Sequence, residues 1–351
     1  MKHLLLTLIV LFKLTLLMGI NKYPLDTDYH NWETLGDTLL HYHQVDRLIS
    51  DIEIIGVSGT EKLPLYAFHI HNLEGIKNKK KKLWERKIKS SVKKVLIIGQ
   101  HHGEEPMGVE IATSIIKELA SSTEQTDLIS KYYFVIIPTI NPEAFRLVNS
   151  GVYPLKRKNN KDTDFNNKFD LKTDGVDLNK NYPSNWELAD LNDPYSQYYK
   201  GEAPASETEI QAVIELTQRI KFDYAFLYHS SANGTYPEVI FFPYNWGEEK
   251  SEDWQAMKEM ADALASYLPC FYKSENYHVN SGQTSKYGYA RDFLYREYGT
   301  LCFTIEVSPI TPEGNSLFLP PNKDLKIIVE RNKKALFSLL KREQNINNLQ
   351  K

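Results

Sequence analysis

Between Lys94 and His229 the chain alternates short, almost wholly apolar runs with longer amphipathic ones. KVLIIG from Lys94, YYFVIIPTI from Tyr132 and DYAFLYH ending at His229 read as strands, while PMGVEIATSIIKELA and SETEIQAVIELTQRI carry apolar residues at helical spacing. Pro106 suits the first position of its helix, and Ser206 with Glu209 has the spacing of a capping box. Upstream, His30 to Ser50 reads as a helix leading into a hairpin of IEIIGV and PLYAFHIH. Downstream come a strand EVIFFP, a helix from Glu252 to Tyr267, a strand TLCFTIEV and a final helix from about Lys323 to Lys341. Apolar strands flanked by amphipathic helices predict an α/β fold: one mixed, mostly parallel twisted sheet with helices on both faces. No internal repeat and no Gly/Ser linker divides the chain after its first twenty-two residues, so 21–351 is read as one domain. From Asn141 to Ser206 no helix or strand is predicted, and a loop of that length is expected to build a site.

Composition adds limits. Of 351 residues, 42% are hydrophobic, 12% aromatic and 25% charged, the make-up of a globular chain. A formal net charge of −3 gives no global field that would recommend nucleic acid as a partner. The lysine-rich GIKNKKKKLWERKIKSS reads as a solvated loop. Residues 1–20 carry Lys2, an apolar run from Leu4 to Phe12, then Lys13 and a second apolar run. That pattern suits an export signal and hence an extracytoplasmic protein, secreted or periplasmic. Lys13 and the lack of a small-x-small cleavage site keep an uncleaved membrane anchor and a cytoplasmic protein open beside it. Cys270 and Cys302 stand as one disulfide or as two buried thiols.

The chemistry concentrates in GQHHGEEPMG, which joins a strand end to a helix start, where open α/β sheets place their ligands. A His and a Glu three residues apart there can face one ion, and His229 closes another strand. Two imidazoles and one carboxylate leave a fourth position open, the arrangement of a catalytic zinc. His101 with Glu104 has the same spacing as His102 with Glu105, so spacing leaves both pairs standing. Glu306 sits inside the apolar CFTIEV, where a carboxylate is costly without a task or partner.

Five blocks, taken in order, resemble the zinc metallocarboxypeptidases of the carboxypeptidase A type. GQHHGEEPMG is similar to H-G-x-E-P-x-G, NPEAF to N-P-D-G-[FY], GVDLNKNYP to G-V-D-L-N-R-N-F, LYHSSANG to the strand with the third zinc ligand, and LCFTIEVSP to F-T-[FIL]-E-L. The resemblance implies one Zn2+ held by His102, Glu105 and His229, with Glu306 as general base. It further implies hydrolysis of a C-terminal bond in a peptide or peptidoglycan-peptide substrate; no obligate protein partner is expected, and the roughly thirty residues between the signal and the first β-like run are too few for the family's inhibitory pro-domain. Arg157 in YPLKRKNN matches the arginine that steadies the oxyanion, with Arg146 as runner-up. The family's Asn-Arg pair for the terminal carboxylate falls on Asn179 and Lys180, and lysine keeps the charge without the bidentate fork. Arg291 in YGYARDFLY matches the specificity-pocket region and would suit an acidic terminal residue. For the mobile tyrosine, NSGQTSKYGYARD offers Tyr287, taken here, with Tyr289 beside it and Thr284 at the counted position. Rival functions are a cell-wall peptide amidase or acyl-amino-acid deacylase on the same fold, and a non-catalytic module binding carboxylates or carbohydrate.

Overall fold

The computed structural model describes residues 28–45, 49–72, 82–85, 88–230, 238–246, 249–283, 287–313 and 317–349. The expected signal at 1–20 lies outside them, as does most of the lysine-rich segment. In chain order the described residues form α1 (Trp32–Val45), β1 (Ser50–Val57), β2 (Pro64–Ile70), β3 (Lys93–Ile98), α2 (Met107–Ser121), α3 (Thr126–Lys131), β4 (Tyr132–Ile137) and α4 (Pro142–Asn149). There follow α5 (Thr208–Ile220), β5 (Tyr224–His229), β6 (Glu238–Trp246), β7 (Glu249–Lys250), α6 (Trp254–Ser266), β8 (His278–Gln283), α7 (Ala290–Tyr298), β9 (Leu301–Val307) and α8 (Asn322–Leu349).

The strands make one sheet in the order β1-β2-β4-β3-β5-β9-β6-β7, with β8 also on β6. Its centre, β4-β3-β5-β9, is parallel, and antiparallel pairs β1/β2, β2/β4, β6/β9 and β6/β7 extend it on both sides. The predicted mixed α/β sheet is therefore the observed one. Alternation along the strands divides the core in two. Ile97, Phe134, Phe226 and Ile305 pack on one face with Ile115 of α2, Ala261 of α6 and Leu336 of α8. Leu96, Val135, Leu227 and Cys302 pack on the other with Val213 of α5 and Leu294 of α7. Each fully buried Leu, Ile or Phe contributes about 1.5–3 kcal/mol, so the central strands are the most firmly held part of the molecule. After β3 the chain crosses to β4 on one side, and it later returns to place β5 on the other side of β3. That reversal opens a crevice at the carboxyl ends of β3 and β5.

Three expectations change. The stretch from Asn141 holds a helix, α4, because Asn141 Oδ1 accepts from the Ala144 amide and Pro142 pre-sets the first turn. The Ser206–Glu209 capping box does not form. Ser206 Oγ instead donates to Glu207 Oε1 at 2.8 Å, and Glu209 Oε1 accepts from the Gly59 amide at 3.1 Å across to the β1–β2 loop. Pro106 is the residue before α2 and not its first. Cys270 and Cys302 are both buried thiols. Among the described residues no helix is long and apolar enough to cross a membrane.

Candidate active site

The turn after β3 is pinned from several sides. Asn141 Nδ2 donates to the His101 carbonyl at 3.0 Å, the Gly103 amide donates to the Arg157 carbonyl at 3.2 Å, and the Glu105 amide donates to the His102 carbonyl at 3.1 Å. Gly108 lets α2 start hard against the strand end, since a Cβ there would stand 1.8 Å from the Gly99 carbonyl oxygen. The turn thus delivers His102 and Glu105 toward the end of β5, where His229 is the last residue.

Glu105 Oε1 lies 2.8 Å from His102 Nδ1 and Glu105 Oε2 lies 3.0 Å from His229 Nδ1, while the two Nδ1 atoms are 3.3 Å apart. One ligand atom from each residue falls within 4.8 Å of the others, and all three side chains are buried. His102 Nε2 is held by Asp177 Oδ1 at 3.0 Å, the carboxylate support that fixes a ligating imidazole. His101 turns away, with Nε2 3.1 Å from the Tyr182 hydroxyl and its ring stacked on His229 at 5.0 Å. Geometry therefore separates the two His-x-x-Glu pairs that spacing left equal.

The electrostatics fit a cation at this point. Burial, then Arg157, work against charge on His102, yet Glu105 and Asp177 outweigh them and hold it up to about 9. Burial lowers His229. Burial opposes ionisation of Glu105 and Asp177, but His102 and His229 around the first, and Arg157 and His102 around the second, hold both far below the usual range. A buried pocket that keeps a proton on one imidazole is organised around positive charge. His102 and His229 as neutral imidazoles and Glu105 as carboxylate would hold a divalent ion there, and they are zinc's preferred donor set.

Round this trio lies a cavity of about 610 Å³ lined by Glu104, Arg157, Asn179, Lys180, Tyr198, Tyr289 and Glu306 among others. Glu306 is the register partner of His229 across β5 and β9. Arg157 donates from Nε and Nη2 to Asp177 Oδ2 at 3.1 and 2.9 Å, and its Nη1 stands 3.5 Å from both Glu104 Oε1 and Glu105 Oε1. Burial, countered in part by Arg157, pushes Glu104 up to about 7. Asn179 Oδ1 accepts from the Ala290 amide at 3.1 Å, and its Nδ2 is 3.3 Å from His229 Nε2.

Lys180 Nζ stands 3.8 Å from the centre of the Tyr289 ring, and among the described residues no carboxylate is within ion-pair reach of it. Gly288, at φ +75°, permits this contact, because a Cβ there would meet the Lys180 carbonyl oxygen at 2.0 Å. Arg291 is buried behind Tyr289, 5.5 Å from its ring, and its guanidinium pairs with Asp292 at 3.1 Å. Arg291 and Tyr287 do not line the cavity, whereas Tyr289 does. Arg146 lies outside it, paired with Glu61 on the surface. Asp177, Glu104 and Tyr198 went unassigned in the sequence. The one available signal was for Asp177, an acidic residue inside the GVDLNKNYP block.

Fold and site together define a metal-dependent hydrolase with its centre at the carboxyl end of a central parallel sheet. The chain belongs to the zinc carboxypeptidase family, matching it over residues 47–335, and is a metallocarboxypeptidase, a peptide hydrolase. It is 27% identical to carboxypeptidase B of Astacus astacus over 66% of this chain and 74% of that protein. It is also 27% identical to a gamma-D-glutamyl-L-diamino acid endopeptidase of Lysinibacillus sphaericus, over 49% of this chain and 41% of that protein. Among solved structures, the carboxypeptidase A of Helicoverpa armigera superposes with a TM-score of 0.73 at 18% identity, over 90% of this chain and 73% of that one, which shows the shared fold.

Proposed function

We propose that this protein removes the C-terminal residue of peptides outside the cytoplasm, with zinc held by His102, Glu105 and His229. The observation that supports it most is the convergence of that trio with two further groups in one cavity: a carboxylate, Glu306, and a buried cation, Lys180. Zinc when bound supplies Lewis acidity, polarising a carbonyl and making water nucleophilic near neutral pH. Glu306 takes the water's proton and passes it to the leaving amine. Arg157 offers Nη1 to the developing oxyanion while Asp177 fixes the rest of its guanidinium. Asn179 and Lys180 hold the substrate's terminal carboxylate, and Tyr289, stacked against Lys180 in the cavity wall, is better placed for the mobile tyrosine's part than Tyr287.

A modest preference for an acidic terminal residue is part of this proposal, because Lys180 and Arg291 both contact the Tyr289 ring. Asp292 already satisfies two edges of Arg291, which limits the pull. Similarity to the Lysinibacillus endopeptidase supports a second reading, cleavage of γ-linked cell-wall peptides, which use acidic residues as well. A peptide library with free and amidated C-termini, read by mass, tests both. Loss of one terminal residue from free ends alone is expected, while internal cuts at γ-glutamyl bonds would transfer the assignment to the second reading.

A further inference from the structure

Glu104 lines the same cavity, yet the mechanism above gives it no task. Contacts along the cavity wall run in order. Lys180 Nζ lies 5.9 Å from the Tyr198 ring, the same ring lies 5.2 Å from Arg157 Cζ, and Arg157 Nη1 lies 3.5 Å from Glu104 Oε1. If the terminal carboxylate sits at Lys180, Glu104 stands beyond Arg157, on the amino side of the scissile bond. Arg157 satisfies it poorly, because Nε and Nη2 are committed to Asp177 and Nη1 is shared at long range with Glu105. Among the described residues Arg157 is the one cation of an ion pair with Glu104, and that pair is long. Tyr153, which is near enough to feel the Glu104 charge, and Leu155 line the same cavity and offer an aromatic and an aliphatic surface.

We propose that Glu104, walled by Tyr153 and Leu155, is a specificity residue that takes a primary ammonium on the amino side of the cleaved bond, either from a lysine-type side chain or from the free N-terminus of a short peptide. An ammonium brings three donors and a full charge to a carboxylate whose ion pair with Arg157 is long and shared. A neutral residue in the same place would strip water from the carboxylate without replacing it. The aliphatic stem of a lysine-type side chain fits along Tyr153 and Leu155 while its head reaches Glu104.

The inference rests on the carboxypeptidase reading, and its test separates the two. Zinc-loaded wild type and Glu104→Gln are assayed on four peptides that differ in Lys or Gln before the terminal residue and in a free or acetylated N-terminus. In the wild type an ammonium is expected to raise kcat/KM about tenfold, as a charge-assisted hydrogen bond does, and in Glu104→Gln that ratio falls to near one. Preference among acetylated peptides assigns the side chain, and preference among the Gln peptides assigns the N-terminus. Equal wild-type rates, or a ratio that survives in Glu104→Gln, overturn the proposal. The same peptides are also titrated calorimetrically into zinc-loaded Glu306→Gln, with and without Glu104→Gln. If no peptide is cleaved, the carboxypeptidase reading fails, and the titration then decides Glu104 alone: about tenfold tighter ammonium binding lost with Glu104→Gln supports it, and equal affinities sink it.

Discussion

His229 and Glu306 are register partners, each at or next to the carboxyl end of its strand, on the adjacent parallel strands β5 and β9. Neighbouring strands run about 4.8 Å apart, so main-chain hydrogen bonding sets the spacing between a metal-facing imidazole and a carboxylate, with no loop geometry involved. A carboxylate placed by the ladder in this way is rigid, and as the proposed base it would be positioned before substrate arrives.

Glu306→Gln is therefore expected to keep its zinc and its fold and to lose turnover by about 10³-fold, the middle of the range for removing a general base. Zinc content by atomic absorption and single-turnover rates check it. A variant with near-normal rates would remove Glu306 from the chemistry.

Metal binding should follow the geometry of the trio. His102→Ala and His229→Ala are expected to fall well below one zinc per chain, and chelation to abolish activity, while His101→Ala keeps its zinc because its ring faces Tyr182. Zinc lost from His101→Ala and retained by His102→Ala would shift the ligand assignment by one residue.

Asp177 joins two tasks, since one oxygen holds His102 and the other holds Arg157. Asp177→Asn is expected to weaken zinc affinity by about 10- to 100-fold, as the loss of such support does elsewhere. Turnover of the zinc-saturated variant should drop as well, because Arg157 is released. Unchanged affinity in a competitive chelator titration would make Asp177 a support for Arg157 alone.

Stability should carry a carboxyl signature away from the site. Burial pushes Glu209 and Glu238 up to about 7 from an ordinary 4.5. Between those values the folded chain holds protons that the unfolded chain has released, so this part of the stability is complete below the lower value and is lost as pH climbs through about 7. Unfolding free energies from urea titrations at about pH 5 and about pH 7 should differ less in Glu209→Gln and Glu238→Gln than in the wild type, by roughly 1–3 kcal/mol each. An equal fall in all three proteins would locate the effect elsewhere.

The central strands were readable because Val95, Phe134, Phe226 and Phe303 lie in runs that can be buried only within a covered sheet. What escaped is explained by contacts that hydrophobic periodicity does not show. In α7, Arg291 and Asp292 hide each other's charge, so ARDFLYREY lacks an amphipathic stripe on paper. β8 is the polar HVNSGQ, held by its ladder with β6, and polar alternation of that kind gives no strand signal. The metal ligands stood out as a His-x-x-Glu at a strand end, but the separation of His102 from His101 depends on contacts with Asp177 and Tyr182, about eighty residues away.

The cation end of the cavity gives the most selective test. Lys180 is a buried ammonium set against the face of Tyr289, and on the proposed reading a substrate carboxylate completes it. Lys180→Ala is expected to raise KM for free C-termini by about tenfold or more, with amidated peptides hardly changed, since a charge-assisted contact is lost in one case and absent in the other. Lys180→Arg should retain much of the affinity and gain a bidentate hold. Arg291 calls for a different design, because removing it alone strands Asp292 as a buried charge and destabilises the chain. The double change Arg291→Met with Asp292→Asn removes the pair together. It is expected to leave cleavage of C-terminal Leu or Phe near normal and to bring the rate on C-terminal Glu down to theirs. If the wild type already trims Leu and Glu equally, or the double variant keeps a preference for Glu, Arg291 is a structural residue and Lys180 alone reads the substrate's charge.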